Sequence, residues 1–220
     1  MSRPSQNLDE KLLKAGRDLI MEEGLSGLNL RAVAKRAGVN LGMFHYHFRN
    51  KEEFAARCTG EAYAEFYRGF QLETDGASGT IEKLRRGLMA LARYSRDNRH
   101  FMLSLLRDLE DRNPGSWAFV RSKFPPPHGK VIAGLVKQGQ KEGLLVKVAV
   151  PTAMMVLMSA IAFPNLLAGL GERALGTKLL GVPRFDLRKL FLSDQVLRDR
   201  VELALRGLLS QPEKTLRRSK

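Results

Sequence analysis

The sequence is short of the residues from which disulfide scaffolds, metal sites and hydrolases are built. Cysteine occurs once in 220 residues, so no intramolecular disulfide framework exists. Cys58 stands among Ala55, Ala56 and Ala62 and reads as a small apolar core residue. Histidine occurs four times. His45 and His47 lie two apart on an expected helix, about 200° around its axis, so they cannot converge on one ion. No Cys or carboxylate cluster completes a site, and neither metal nor cofactor is expected. G-x-S-x-G, P-loop, H-E-x-x-H and G-x-G-x-x-G patterns are absent, and no acid–base pair stands out, so an enzyme is not expected. β-branched alternation is scarce, which favours an all-α chain. The first residues, M-S-R-P-S-Q-N, lack an apolar run of the kind a secretory signal needs, and the expected location is the cytoplasm.

Acidic residues are also in deficit. Lys and Arg number 37 against 23 Asp and Glu, for a net charge of +14 and a pI near 10.3. That balance suits a polyanionic partner. The excess is spread along the chain, with +3 in residues 1–60, +8 in 61–190 and +3 in 191–220. Charge therefore supports a nucleic-acid partner without locating the contact.

Location comes from Leu28 to Lys51, L-N-L-R-A-V-A-K-R-A-G-V-N-L-G-M-F-H-Y-H-F-R-N-K. The pattern predicts two short helices joined by a tight turn. Asn29 caps the first, on which Leu30, Val33, Ala34 and Ala37 form an apolar face. Gly38 ends it with a positive φ, Val39 plugs the gap, and Asn40 caps the second. Phe44 and Phe48, four apart, share a buried side. Leu41, Gly42, Met43, His45, Tyr46, His47 and Lys51 are left facing outward. Tyr and His can donate to phosphates, Lys adds charge, and Gly42 permits close approach to a duplex backbone. Arg31, near the first helix's N-terminus, is a further phosphate contact. A helix-turn-helix lays its second helix in the major groove.

Asn7 to Phe54 resembles the DNA-binding domain of TetR-family transcriptional regulators. The resemblance rests on Ala37-Gly38-Val39-Asn40, Gly42, Tyr46-His47-Phe48 and Lys51. Two positions depart from the common pattern: Met43, where a small residue is frequent, and His45, where Tyr is frequent. The resemblance implies an all-α homodimer with an N-terminal three-helix DNA-binding domain and a C-terminal helical domain for effector binding and dimerisation. It implies DNA contacts from Asn29, Arg31, Asn40, Leu41, Gly42, Met43, His45, Tyr46, His47 and Lys51. It also implies that a helix beginning near Asn50 connects the two domains.

The remaining chain reads as helices. One spans about Leu8–Glu23, capped by Asn7 with Glu10; another runs from a cap at Asn50, with Glu53, to about Glu73. Asp75–Gly79 is a loop. Helices follow over about Ile81–Arg96 and His100–Glu110, a break at Pro114-Gly115, a segment from Trp117, a kink at Pro125–Pro127, and a helix over Lys130–Lys141. Val148–Gly171 holds no charge and is long enough to span a bilayer, but Pro151, Thr152, Ser159, Pro164 and Asn165 interrupt it. It reads better as a helix buried on nearly all sides. Gly171–Asp194 is irregular, and Asp194–Leu209 is amphipathic.

These readings divide the chain into a DNA-binding domain over 1–54, an effector and dimerisation domain over 55–210, and a basic tail over 211–220. An effector pocket is expected among Phe101, Met102, Leu105, Trp117, Phe124, Met154, Met158 and Asn165. The dimer interface is expected at Val156, Ala160, Leu197, Val201, Leu205 and Leu208. The expected partners are palindromic double-stranded DNA, a small apolar or amphipathic effector and a second copy of the chain, with no membrane. A helical dimer that binds small molecules or proteins without reading DNA sequence remains the alternative.

Overall fold

A computed structural model describes residues 6–123, 126–175, 186 and 188–210. Ten α-helices occur among them: α1 (Gln6–Glu23), α2 (Leu30–Ala37), α3 (Leu41–His47), α4 (Lys51–Asp75), α5 (Thr80–Asp97), α6 (Arg99–Glu110), α7 (Pro114–Lys123), α8 (Pro127–Lys141), α9 (Val150–Leu175) and α10 (Asp194–Arg206). A π-helical turn covers Arg188–Leu192. The all-α expectation holds: no strand occurs among the described residues, and an isolated antiparallel bridge pairs Leu145 with Leu209.

Several helix ends differ from the sequence reading for local reasons. Asn7 was read as the cap of α1, but the helix already runs at Gln6. Pro114 does not break the chain; it opens α7, where a missing N–H costs nothing. Pro127 does the same at α8. The basic tail expected over 211–220 and Phe124 lie outside the described residues.

The helices gather into two compact units. Residues 1–66 and 98–124 form one; 67–97 and 125–220 form the other. The linear division at residue 54 does not contain this grouping, because α6 and α7 join the helix-turn-helix.

The first unit has a core of Leu12, Leu13, Leu19, Ile20, Leu28, Val33, Phe44, Phe48, Phe54 and Cys58, with Phe101 of α6 packed against it. The α1–α2 corner is tied to α6 by a polar contact. Asp108 is 3% exposed, and its carboxylate accepts from Ser26 N–H at 3.1 Å and Ser116 Oγ at 2.9 Å. Gly24, at φ 85°, closes that corner where a Cβ would fall 2.6 Å from Ser104 Cβ.

In the second unit, α5 buries Leu84, Leu88 and Leu91 against Ile132 and Val136 of α8, Leu157 and Ile161 of α9, and Leu197, Val201 and Leu205 of α10. Asn165 is fully buried among them. It donates to Ala92 O and Ser95 Oγ and accepts from Arg200 Nη2 at 2.8 Å, which fixes the register of α5, α9 and α10.

The uncharged stretch in α9 is not buried on nearly all sides. Met155, Val156, Phe163, Leu167 and Leu170 are exposed. One face of α9 packs into the unit; the opposite apolar face stands uncovered among the described residues. By length and composition α9 is the one described helix that could cross a membrane.

Candidate nucleic-acid interface

The helix-turn-helix forms because each end of its helices has a partner. Asn29 Oδ1 accepts from Arg31 N–H and Ala32 N–H at 2.9 and 3.4 Å, satisfying donors that the first turn of α2 leaves free. Gly38 adopts φ 67°, and its N–H and that of Val39 return to Lys35 O and Ala34 O. Asn40 Oδ1 accepts from Gly42 N–H at 2.9 Å and starts α3.

Aromatic packing then sets the face that α3 presents. Phe44, Phe48 and Phe54 are all at most 1% exposed. Their rings contact pairwise, with centroids 4.7 to 5.2 Å apart. Phe54 meets both other rings edge-to-face, at interplanar angles of 73°, a geometry favoured by the ring quadrupoles. The triad pins α3 to the start of α4 and leaves Gly42, His45 and Tyr46 exposed.

Tyr46 is 77% exposed, and Gly42 and His45 are exposed as well. Its ring meets His47 edge-on at 5.1 Å, and His45 leans on Phe44 at 5.5 Å. Arg31 is exposed, and Lys51 at the first turn of α4 is half-buried. Glu53 N–H donates to Asn50 Oδ1 at 2.7 Å, so the α4 terminus is capped beside Lys51.

The sequence reading overstated the freedom of several residues. Leu41 is half-buried against the apolar core rather than free to meet a base, and Met43 is half-buried as well. His47 is also half-buried, and its Nε2 is buried without a hydrogen-bond partner. The amide oxygens of Asn29 and Asn40 are engaged in capping. Among the described residues no group of three His, Cys, Asp or Glu side chains could hold a metal ion.

The expected effector and interface residues are placed differently. Phe101, Met102, Leu105 and Trp117 belong to the first unit, and Met154, Met158 and Asn165 to the second, so no one unit collects the set. Phe124 lies outside the described residues. Asn165 is engaged by its own core. Leu197, Val201, Leu205 and Leu208 were expected at a dimer interface, but they are at most 7% exposed within the protomer. Leu197, Val201 and Leu205 form the inner face of α10, and Leu208 lies in the turn just after it. Val156 is exposed and Ala160 half-buried, both on α9. Sequence periodicity could not tell the inner stripe of one subunit from a stripe facing a second.

Residues 12–58, which contain α1 to α3 and the start of α4, match the family described as "Bacterial regulatory proteins, tetR family". The chain is similar to the HTH-type transcriptional repressor KstR2 of Mycolicibacterium smegmatis, 26% identical over 107 residues, covering 49% of this chain and 51% of that protein. It is also similar to the HTH-type transcriptional repressor NemR of Escherichia coli K12, 34% identical over 59 residues, covering 27% of this chain and 30% of NemR. The chain thus spans about half or less of the length of the curated relatives it matches. The structure of the fatty acid degradation regulator FadR from Bacillus halodurans is similar in fold, at TM-score 0.67 and 15% identity, covering 94% of this chain and 97% of that one. The capped and aromatic-anchored helix-turn-helix lies inside the segment that matches the tetR family of bacterial regulatory proteins.

Proposed function

We propose that this protein is a sequence-specific DNA-binding transcriptional regulator, a repressor that binds a palindromic operator as a homodimer. The observation that carries the reading is the presentation of α3. A short helix is held from behind by three buried phenylalanines, while Tyr46, His45 and Gly42 stand free on its outer side. Tyr46, Arg31 and Lys51 serve phosphates; Gly42 admits the duplex backbone; Met43 and the exposed part of Leu41 offer apolar contact to a thymine methyl.

The exposed apolar strip of α9 supports the second copy. Met155, Val156, Phe163, Leu167 and Leu170 lie on one long helix, and Leu203 of α10 is 67% exposed. A contiguous apolar strip of that length marks a protein interface more than a solvated face. An isologous two-fold contact would present two reading heads to two half-sites spaced by a helical turn or a multiple of one. A small-molecule effector releases the operator by binding better to the form whose heads are misplaced. The protein acts in the cytoplasm and performs no catalysis.

Selection from random duplex DNA at physiological salt tests this reading. The wild type should enrich a palindrome, and Tyr46→Ala should lose it. A folded dimer that enriches no sequence, alone or with cell extract added, contradicts it.

A further inference from the structure

A cleft of about 570 Å³ opens inside the first unit, between the first two turns of α4 and the length of α7. Its walls are mainly apolar: Leu25 from the α1–α2 corner, Ala55 and Ala56 from α4, and Ala118 and Phe119 from α7. Lys51 and Glu52 lie at the α4 end, so the charged lining is balanced.

The cleft exists because α7 is tethered at one end. Asn113 Oδ1 accepts from Ser116 N–H at 3.1 Å, Ser116 Oγ donates to Asp108 at 2.9 Å, and Trp117 Nε1 donates to Leu109 O at 3.1 Å. All three tethers lie in or just before the first turn of α7, and two of them run to α6. Beyond them Phe119 reaches the ring of Phe101, while Ala55, Ala56 and Ala118 are too small to close the gap to α4. The corner that carries α7 contains Arg112 at φ 56°, a left-handed conformation that a non-glycine residue adopts only when its surroundings impose it.

We infer that this cleft is a binding site for a small, uncharged, largely apolar molecule with one or two hydrogen-bonding groups, and that its occupation weakens the grip on DNA through Lys51. The volume suits a drug-sized ligand. The cancelled charge of Lys51 and Glu52 disfavours an ion of either sign, and Ser116 and Ser122 can orient a polar group. The inference deepens the regulator reading, on which its DNA half rests. Lys51 serves two sites at once: it lines the cleft, and it stands at the α4 terminus that faces the operator. A ligand seated against α4 displaces Lys51 from the phosphate, and the operator must in turn weaken the ligand by the same factor.

The test uses the full-length protein and Nile red, an uncharged apolar dye. Ala118→Trp and Ser122→Trp fill the cleft from exposed positions of α7, outside both the core and the DNA face. Circular dichroism melts establish which variants fold. Saturable dye binding by the wild type, weakened tenfold or more in the folded variants, is the expected result. Folded variants that bind dye as the wild type does, or a wild type that shows no saturable binding, overturn the site. Saturating dye should also weaken the selected operator at least fivefold in the wild type and leave the Ala118→Trp protein unaffected. Unchanged operator affinity overturns the coupling through Lys51. A protein that holds dye in the cleft but binds no duplex DNA at all refutes the regulator reading instead, and leaves the site standing.

Discussion

Gly16 offers a test in which the sign of the effect decides. It sits in the interior of α1, where alanine should be better than glycine by about 0.8–1 kcal/mol on helix propensity alone. The structure reverses that expectation. A Cβ at Gly16 would fall into the Phe54 ring, 2.6 Å from Cε1, and 2.8 Å from Cys58 Sγ. Neither neighbour can retreat. Phe54 is fully buried and wedged against Phe44 and Phe48, and Cys58 is fully buried with its thiol directed at Leu13 O. Overpacking a filled core costs about 1–3 kcal/mol, and approaches this short belong in the upper part of that range, about 2–3 kcal/mol, so Gly16→Ala should lose about 1–2 kcal/mol net. Gly60→Ala supplies the control. Gly60 lies within α4, and nothing stands within 4 Å of an added Cβ, so alanine there should gain about 0.5–1 kcal/mol. Urea unfolding of the two variants at equal slope measures both changes. The operator affinity of Gly16→Ala should fall too, because Phe54 joins α4 to α3. A Gly16→Ala protein as stable as the wild type, or more so, would show that α1 and α4 do not meet this closely.

Tyr46→Ala should weaken operator binding by about 1.5–3 kcal/mol, tenfold or more, while shifting fold stability by less than about 0.5 kcal/mol, since the side chain is 77% exposed. Filter-binding and thermal melts on one preparation separate the two. Leu205→Asp buries an uncompensated charge inside the protomer and should unfold or strongly destabilise it, whereas Leu167→Asp, on the exposed strip of α9, should yield folded monomer in sedimentation. A dimeric Leu167→Asp protein would move the interface elsewhere. Burial against Phe70 lowers His128 from its ordinary 6.5 to about 4, so the unfolded chain takes up that proton first as pH falls. Its contribution to stability is complete above pH 6.5 and is lost as pH falls toward 4. His128→Gln should flatten stability across pH 5–6.5; an unchanged slope would assign the dependence to other groups.

Local signals carried the reading head. The helix-turn-helix was legible because its determinants are local: two asparagine caps, a glycine at φ 67° and phenylalanines four apart each depend on neighbours within a few residues. Helix count and order followed from periodicity for the same reason. The placement of Leu197, Val201, Leu205 and Leu208 was not legible, because an apolar stripe has the same period whether it meets its own subunit or another. Trp117 and Phe101 read as lining for a pocket in the larger domain. Tertiary packing instead joined α6 and α7 to the N-terminal helices, through contacts such as Asp108 to Ser26 across 82 residues. The cleft beside Lys51 follows from that long-range packing. Sequence by itself determined where the helix-turn-helix lies and which side of its second helix is anchored, since caps and aromatic spacing are local; tertiary structure decided which apolar faces are core, which are open and where space remains, since those depend on partners distant in the chain.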